Sequence, residues 1–376
     1  MTRLEYLLSA AILRVLGWCF SRLPARPNRV VLATARVRAL DGNLLWIRRS
    51  IERSRPDLEC VTLAEPYGYG LRHKAAYALR LVRGMFHLRT AALVVVDNAY
   101  LPVHVAPHGA RTTVVQVWHA VGALKRFGLD TSGGLLEPER SFLHRYYDHV
   151  VTSGEASREP WSRAFGTPLE QVLPLGSPRT DFFADPEALA AARGRQIAAY
   201  PRLGEGRVVL YAPTFRGRGR AKRPPPGFDP GRLREELPPG HVLALKSHPN
   251  LDPTLVDEAG FDVVIDPAAE MNEVLAAADV LVTDYSSSIF EWALLRRPLV
   301  LLVEDLAEFE REPGLYLDLR RESIGEIVDQ PSQLAAAIRD ATVDPAAWSA
   351  FVARHLAGCD GEASRRFVER FAPARP

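Results

Sequence analysis

Two runs of short, nearly continuous apolar segments, separated by stretches of helical period, constrain this chain more than any other feature. In the first run the segments are Arg29–Thr34, Leu58–Leu63, Ala91–Asp97, Thr112–His119 and His149–Ser153. In the second they are Val208–Pro213, Val242–Lys246, Asp262–Asp266, Val280–Thr283 and Pro298–Val303. A strand that is apolar on both faces needs cover on both faces, and the intervening helices supply it. The expected fold class is therefore α/β, with two parallel sheets in succession. Gly176-Ser-Pro-Arg-Thr-Asp181 interrupts the alternation with turn residues and marks the junction. Residues 28–180 then form one domain and 181–376 the next, with 1–27 ahead of both.

A length of 376 residues suffices for two full cores, and 47% hydrophobic with 24% charged residues is the balance of a soluble globular chain. The formal net charge of +2 gives no reason to expect nucleic acid as a partner. Cys19, Cys60 and Cys359 are odd in number and far apart, which argues against a disulfide framework and a zinc site and fits a reducing compartment. No metal and no cofactor is expected.

Residues 1–23 lack a signal-peptide cleavage pattern, and the charge-free run Tyr6–Leu13 is far short of the roughly 20 apolar residues of a membrane span. As a helix, they place Leu4, Leu7, Leu8, Ala11, Val15, Trp18 and Cys19 on one broad face, among Arg3, Arg14 and Arg22. Such a helix suits a membrane interface, with Trp18 as anchor, or packs on its own domain. Arg72, Lys74, Arg80, Arg83 and Arg89 make the helical sequence after Leu63 basic. The stretch from Arg216 to Pro226 is rich in Arg, Gly and Pro and is expected to be a mobile basic loop.

Ligands of open α/β sheets sit beyond the carboxyl ends of the strands. In the second half those ends carry Thr214 and Arg216, Lys246 and His248, Asp266, and Asp284 with Ser286, Ser287 and Ser288. The serines open an apolar helix whose first N–H groups lack intrahelical partners, a natural anion site. Ser288 with Glu291 also reads as a capping box. Cations, hydroxyls and a helix start together suit a diphosphate bearing a polar group. The first half supplies Thr34 to Arg38, Asp97, His119, Lys125 and Ser153. His119 can take a proton from an alcohol near neutral pH, Trp118 can fix its ring, and Gly122, Lys125 and Gly128 follow in a loop able to approach an anion. No Walker, GxGxxG, GxSxG or HExxH spacing is present.

The motifs Gln116-Val-Trp-His-Ala-Val-Gly-Ala-Leu-Lys-Arg-Phe-Gly128, Tyr211-Ala-Pro-Thr-Phe-Arg216, Lys246-Ser-His-Pro249 and Thr283-Asp-Tyr-Ser-Ser287 with Phe290-Glu291 resemble the CDP-glycerol glycerophosphotransferase family. Those enzymes prime or polymerise teichoic-acid-type polyol phosphate chains. The resemblance spans roughly residues 28–320, with Gly42-Asn43, Val96-Asp97 and Gly176-Ser-Pro-Arg179 as weaker pieces. It implies a GT-B architecture of two Rossmann-like domains facing across a cleft. His119 would act at the acceptor hydroxyl, with Asp97 and Lys125 as further catalytic candidates. Thr214, Arg216, Lys246, His248, Asp284, Ser286 and Ser287 would bind the CDP-polyol, Glu291 would meet the ribose, and Arg179 and Asp181 would line the cleft. The implied partners are a CDP-polyol donor, a lipid-linked or polymer hydroxyl acceptor and the inner face of the cell membrane, from the cytoplasmic side. The chain departs from the family pattern at Ala120, Ser247 and Glu312-Pro-Gly314. A glycosyltransferase using a nucleotide-sugar would need the same fold and diphosphate site, and a binding protein for anionic polymers would use the basic loop.

Overall fold

The computed structural model describes residues 3–64, 71–131, 143–217 and 221–375. Residues 218–220 of the basic loop, and the side chains of Arg3, Leu4, Glu5, Arg72 and Lys74, lie outside the described set. The chain forms two compact units: one takes Met1–Gly122, Arg126–Asp181 and Leu356–Pro376, the other Ala123–Lys125 and Phe182–His355.

The first unit carries β1 (Arg26–Thr34), β2 (Glu59–Ala64), β3 (Ala91–Val96), β4 (Thr113–Gln116), β5 (His149–Val151) and β6 (Val172–Leu173), in the order β2-β1-β3-β4-β5-β6. The second carries β7 (Arg207–Tyr211), β8 (His241–Leu245), β9 (Val263–Val264), β10 (Val280–Thr283), β11 (Leu299–Leu302) and β12 (Glu326–Val328), in the order β12-β11-β10-β7-β8-β9. Every pairing between these strands is parallel. The α/β reading of two parallel sheets therefore holds. Strands β6 and β12 add edges that the apolar pattern did not mark.

Each order reverses once, between β1 and β3 in the first sheet and between β7 and β10 in the second. At such a point the connections leave to opposite sides and open a crevice at the strand ends. Buried Val209, Leu243, Val282 and Val300 carry the second sheet's core, under Leu334 and Ile338 of a covering helix.

The first core contains a return of the chain. Phe367, Val368 and Phe371 of the helix Ala363–Phe371 pack with Val30, Leu32, Leu44 and Ile47. A Cβ on Gly176 would lie 1.7 Å from the Gly358 carbonyl oxygen, so glycine there permits the two backbones to meet. Asp181 completes the junction: its carboxylate accepts from the N–H groups of Ala363 and Ser364 at 2.9 and 2.8 Å. Both oxygens being taken at a helix start, Asp181 is an anchor for that helix rather than the cleft residue expected of it.

The amino-terminal helix Arg3–Phe20 has two apolar faces. Tyr6, Ala10 and Leu13 are buried, and Gly17 sits so close to Met85 that an added Cβ would be 3.0 Å from its sulfur. Leu7, Leu8, Ile12, Val15 and Trp18 are 49–63% exposed. No described helix is long and apolar enough to cross a membrane.

Candidate functional site

In the second unit the strand ends at the reversal are tied by Asp284, which follows β10. Its Oδ1 accepts from the Thr214 N–H at 2.8 Å, and its Oδ2 accepts from Arg216 Nη1 at 2.7 Å. Asp305 holds the other edge of the same guanidinium, with Arg216 Nε and Nη2 donating at 2.6 and 3.0 Å. Tyr285 donates its hydroxyl to Asp305 at 3.0 Å and stacks on Phe309 at 3.7 Å. Burial opposes the Arg216 charge, yet the hydrogen bonds and charges of Asp305 and Asp284 hold its pKa above the usual value. Arg216 and Asp284 were expected to bind the CDP-polyol; in the structure Arg216 spends most of its hydrogen bonds on Asp284 and Asp305, so the three form the frame of the site.

The groups left to face a ligand stand around this frame. Lys125 belongs to the second unit, through an antiparallel bridge to Leu315 and the Tyr316 N–H donating to Leu124 O at 2.8 Å. Its ammonium lies 5.6 Å from the Phe309 ring centre, and burial lowers its pKa, with Asp284 opposing and Arg216 adding to the shift. Lys125 thus clusters with the second unit, whereas His119 lies in the first. Lys246 is buried and donates to Pro267 O at 3.0 Å, and burial depresses its pKa against Glu270 and Asp266.

His248 is half-buried, edge-on to Phe215 at 4.9 Å. Its Nδ1 accepts from the Asn250 N–H at 3.0 Å, which leaves the proton on Nε2. Burial, followed by the fields of Lys125, Lys222 and Lys246, lowers its pKa to about 4. At neutral pH His248 is thus a neutral donor within a cluster of cations. Thr214, Ser247 and His248 also edge a recess walled by Tyr211, Pro213 and Phe228.

The helix Ser288–Leu295 starts at this same edge. Ser288 is its first residue rather than its cap, and the Ser287 side chain makes no capping bond. Ser286 Oγ takes that place, accepting from the Ser288 N–H at 3.2 Å and pairing with the Ser288 hydroxyl at 2.7 Å. Glu291 is buried in the first turn. Trp292 locks the helix by donating from Nε1 to Arg297 O at 2.9 Å, and Trp348 does so from outside, to Ala293 O at 2.7 Å.

In the first unit the reversal lies between Thr34 of β1 and Asp97 after β3. Asp97 is 2% exposed, with Arg36 at 4.0 Å and a hydrogen bond from Thr34. Burial outweighs both and pushes its pKa up to about 6. His119 follows β4 in a turn whose backbone is held on several sides. Trp118 has φ 51°, in the left-handed region that residues with a Cβ avoid. Asn43 Nδ2 donates to Val117 O at 3.1 Å and to Trp118 O at 2.9 Å. Arg179 donates from Nη1 to His119 O at 2.9 Å, and from its own backbone to Asn43 Oδ1 at 2.9 Å. The Trp118 and His119 rings pack at 4.3 Å. Asn43 and Arg179 thus converge on His119. Gly122 and Gly128 serve packing: Trp161 donates to Gly122 O at 3.1 Å, and a Cβ on Gly128 would meet Ala164 O at 2.3 Å.

Asp305, Gln116 and Asn250 are the participants that sequence reasoning left without a role. Asp305 lies outside the motifs that carry the family resemblance, and nothing local distinguishes it from a surface acid.

Two parallel-sheet units, each with its polar groups at the strand-order reversal, make a GT-B-like α/β fold. A solved structure of the wall teichoic acid polymerase TagF matches it with a TM-score of 0.73 at 20% identity, over 97% of this chain and 95% of that one. The chain belongs to the family described as CDP-glycerol:poly(glycerophosphate) glycerophosphotransferase, which it matches over residues 18–372. It is 31% identical to a teichoic acid ribitol-phosphate primase of Bacillus spizizenii, covering 92% of this chain and 91% of the relative. It is 30% identical to a teichoic acid poly(ribitol-phosphate) polymerase of the same organism, covering 93% of this chain but 57% of that one.

Proposed function

We propose that this enzyme transfers a polyol phosphate from a CDP-polyol to a hydroxyl of a lipid-linked or glycan acceptor, releasing CMP. The acceptor oxygen bonds to the β-phosphorus, the bond from that phosphorus to the bridging oxygen breaks, and the electron pair leaves with CMP. His119 takes the hydroxyl proton. The observation that carries the reading is the set of anion-compatible groups on the Arg216–Asp284–Asp305 frame. The Lys125 ammonium, the His248 Nε2–H and the helix start at Ser286–Ser288 suit two linked phosphates, whose charge needs stabilising in flight. Glu291 is assigned to the ribose, and Asp97 to the acceptor side.

Motif resemblance points to CDP-glycerol as donor, while the two relatives at 30% identity or above are named for ribitol phosphate. CDP-ribitol therefore stands beside CDP-glycerol. The test is CMP release from a panel of CDP-polyols and nucleotide-sugars. Release of CMP with a new phosphodiester is expected; a nucleoside diphosphate with a glycoside would replace this reading by glycosyl transfer.

The exposed face of the amino-terminal helix is assigned to the inner surface of the cytoplasmic membrane, where a lipid-linked acceptor would be presented. Because Leu8, Val15 and Trp18 point away from the core, changing all three to Gln should leave the fold intact and abolish sedimentation with anionic vesicles. Unchanged sedimentation removes this role.

A further inference from the structure

Behind the His119 turn lies a buried polar network that the reaction as written does not use. Gln116 closes β4 and is fully buried. Its Oε1 accepts from the Trp118 N–H at 2.8 Å, while Nε2 donates to Asn98 O at 3.2 Å and to the Tyr147 hydroxyl at 3.0 Å. A flipped amide would set two donors against each other at Trp118, so the network fixes the amide's orientation. Tyr147, having accepted from Gln116, has its own proton to give. His144 Nδ1 stands 3.3 Å away and His104 Nε2 3.4 Å away. Burial, with His104 adding to it, lowers the His144 pKa to about 3 and keeps the ring neutral.

The same elements grip the Trp118 side chain. Its ring stacks on Phe127 at 5.1 Å and meets His144 and Phe165 edge-on at 6.0 and 5.3 Å. Asn43 and Arg179 hold the carbonyls of the turn, but its N–H at Trp118 is held from inside, by Gln116. A left-handed residue carrying a Cβ persists only when its surroundings over-determine it. Here the left-handed residue lies one position before the proposed base.

We propose that Gln116 and Tyr147 are positioning residues for His119. They hold the Trp118 peptide in its left-handed turn, and so aim the imidazole at the acceptor hydroxyl, without touching substrate. This rests on the reading of His119 as the base. A displacement on the order of 1 Å at a reacting group is enough to slow turnover strongly while leaving ground-state binding alone.

The test is a cycle of Tyr147→Phe and His119→Ala, with donor kcat, donor KM, CDP affinity and melting temperature measured on each protein. Tyr147→Phe keeps the ring and removes the hydroxyl, so the fold survives even if Gln116→Met, the companion variant, does not. The expected result is a kcat lowered about tenfold, with KM and CDP affinity unchanged. In the His119→Ala background the same change should alter residual turnover less than twofold, because the group being aimed is gone. An equal tenfold loss in that background, or a normal kcat in Tyr147→Phe alone, overturns the proposal and leaves the base reading standing. Near-normal turnover in His119→Ala alone overturns the base reading itself, and the proposal with it.

Discussion

In the first unit, hydrogen bonds donated by the Asn43 amide and the Arg179 guanidinium to backbone carbonyls, and one accepted by Gln116 from the Trp118 N–H, hold the backbone around His119. In the second, two carboxylates clamp one guanidinium, and cations gather beside it. Directional bonds to a backbone set where a side chain points, and losing one leaves no buried charge behind. A charge frame set partly out of water acts over a longer range, and removing one member strands the others. The first unit is therefore built to fix geometry, the second to prepare a field for an anion. Substitutions should separate along that line, in turnover for one and in binding and stability for the other.

The largest effect on stability is expected at Arg216. Arg216→Ala leaves Asp284 and Asp305 facing each other, and breaking a buried pair from one side costs about 3–5 kcal/mol. Denaturant unfolding should show the loss, with CDP binding weakened as a consequence. Normal stability with lost CDP binding would make Arg216 a direct ligand and blur the contrast.

Asp97 comes next, and its sign depends on pH. Its carboxyl titrates near 6 in the folded protein and near 3.9 in an unfolded chain. The folded state thus holds the extra proton between those values, and stability falls as pH rises through that window. Asp97→Asn, which never ionises, should gain up to ~3 kcal/mol over the wild type at pH 8 and almost nothing near pH 4. A gain that is equal at both pH values would show that the carboxylate is not strained by burial.

At His248 the expected loss is in affinity. A donor to a charged phosphate contributes about 1.5–3 kcal/mol, so His248→Ala should weaken CDP ten- to a hundredfold by calorimetry. Ser286→Ala should cost only a few-fold, since the helix-start N–H groups remain. If both variants bind CDP normally, the second unit's strand ends are not the donor site.

The sheets were legible in the sequence because the interior strands are dominated by apolar residues, as in Val280–Val282 and Leu93–Val96. The edges β6 and β12 were not. The site was half legible. Strand-end position singled out Asp97, His119, His248 and Asp284, but not which of them would be spent on one another. Arg216 and Asp305 are 89 residues apart, and no local signal pairs them. Asp181 looked like a cleft residue because its turn is rich in polar groups, and its true partner, the helix at Ala363, lies 182 residues on. Lys125 sits six residues after His119, yet the structure assigns it to the other unit. Sequence proximity misled there.

The claim that the first unit governs chemistry and the second governs binding is tested most directly on His119→Ala, by measuring CMP release and CDP affinity on one preparation. The account predicts turnover lower by about 10²–10⁴, the range for losing a general base, with CDP affinity within a few-fold of wild type and no rescue by His119→Asn. Near-normal turnover, or a CDP affinity that falls in step with turnover, would contradict it.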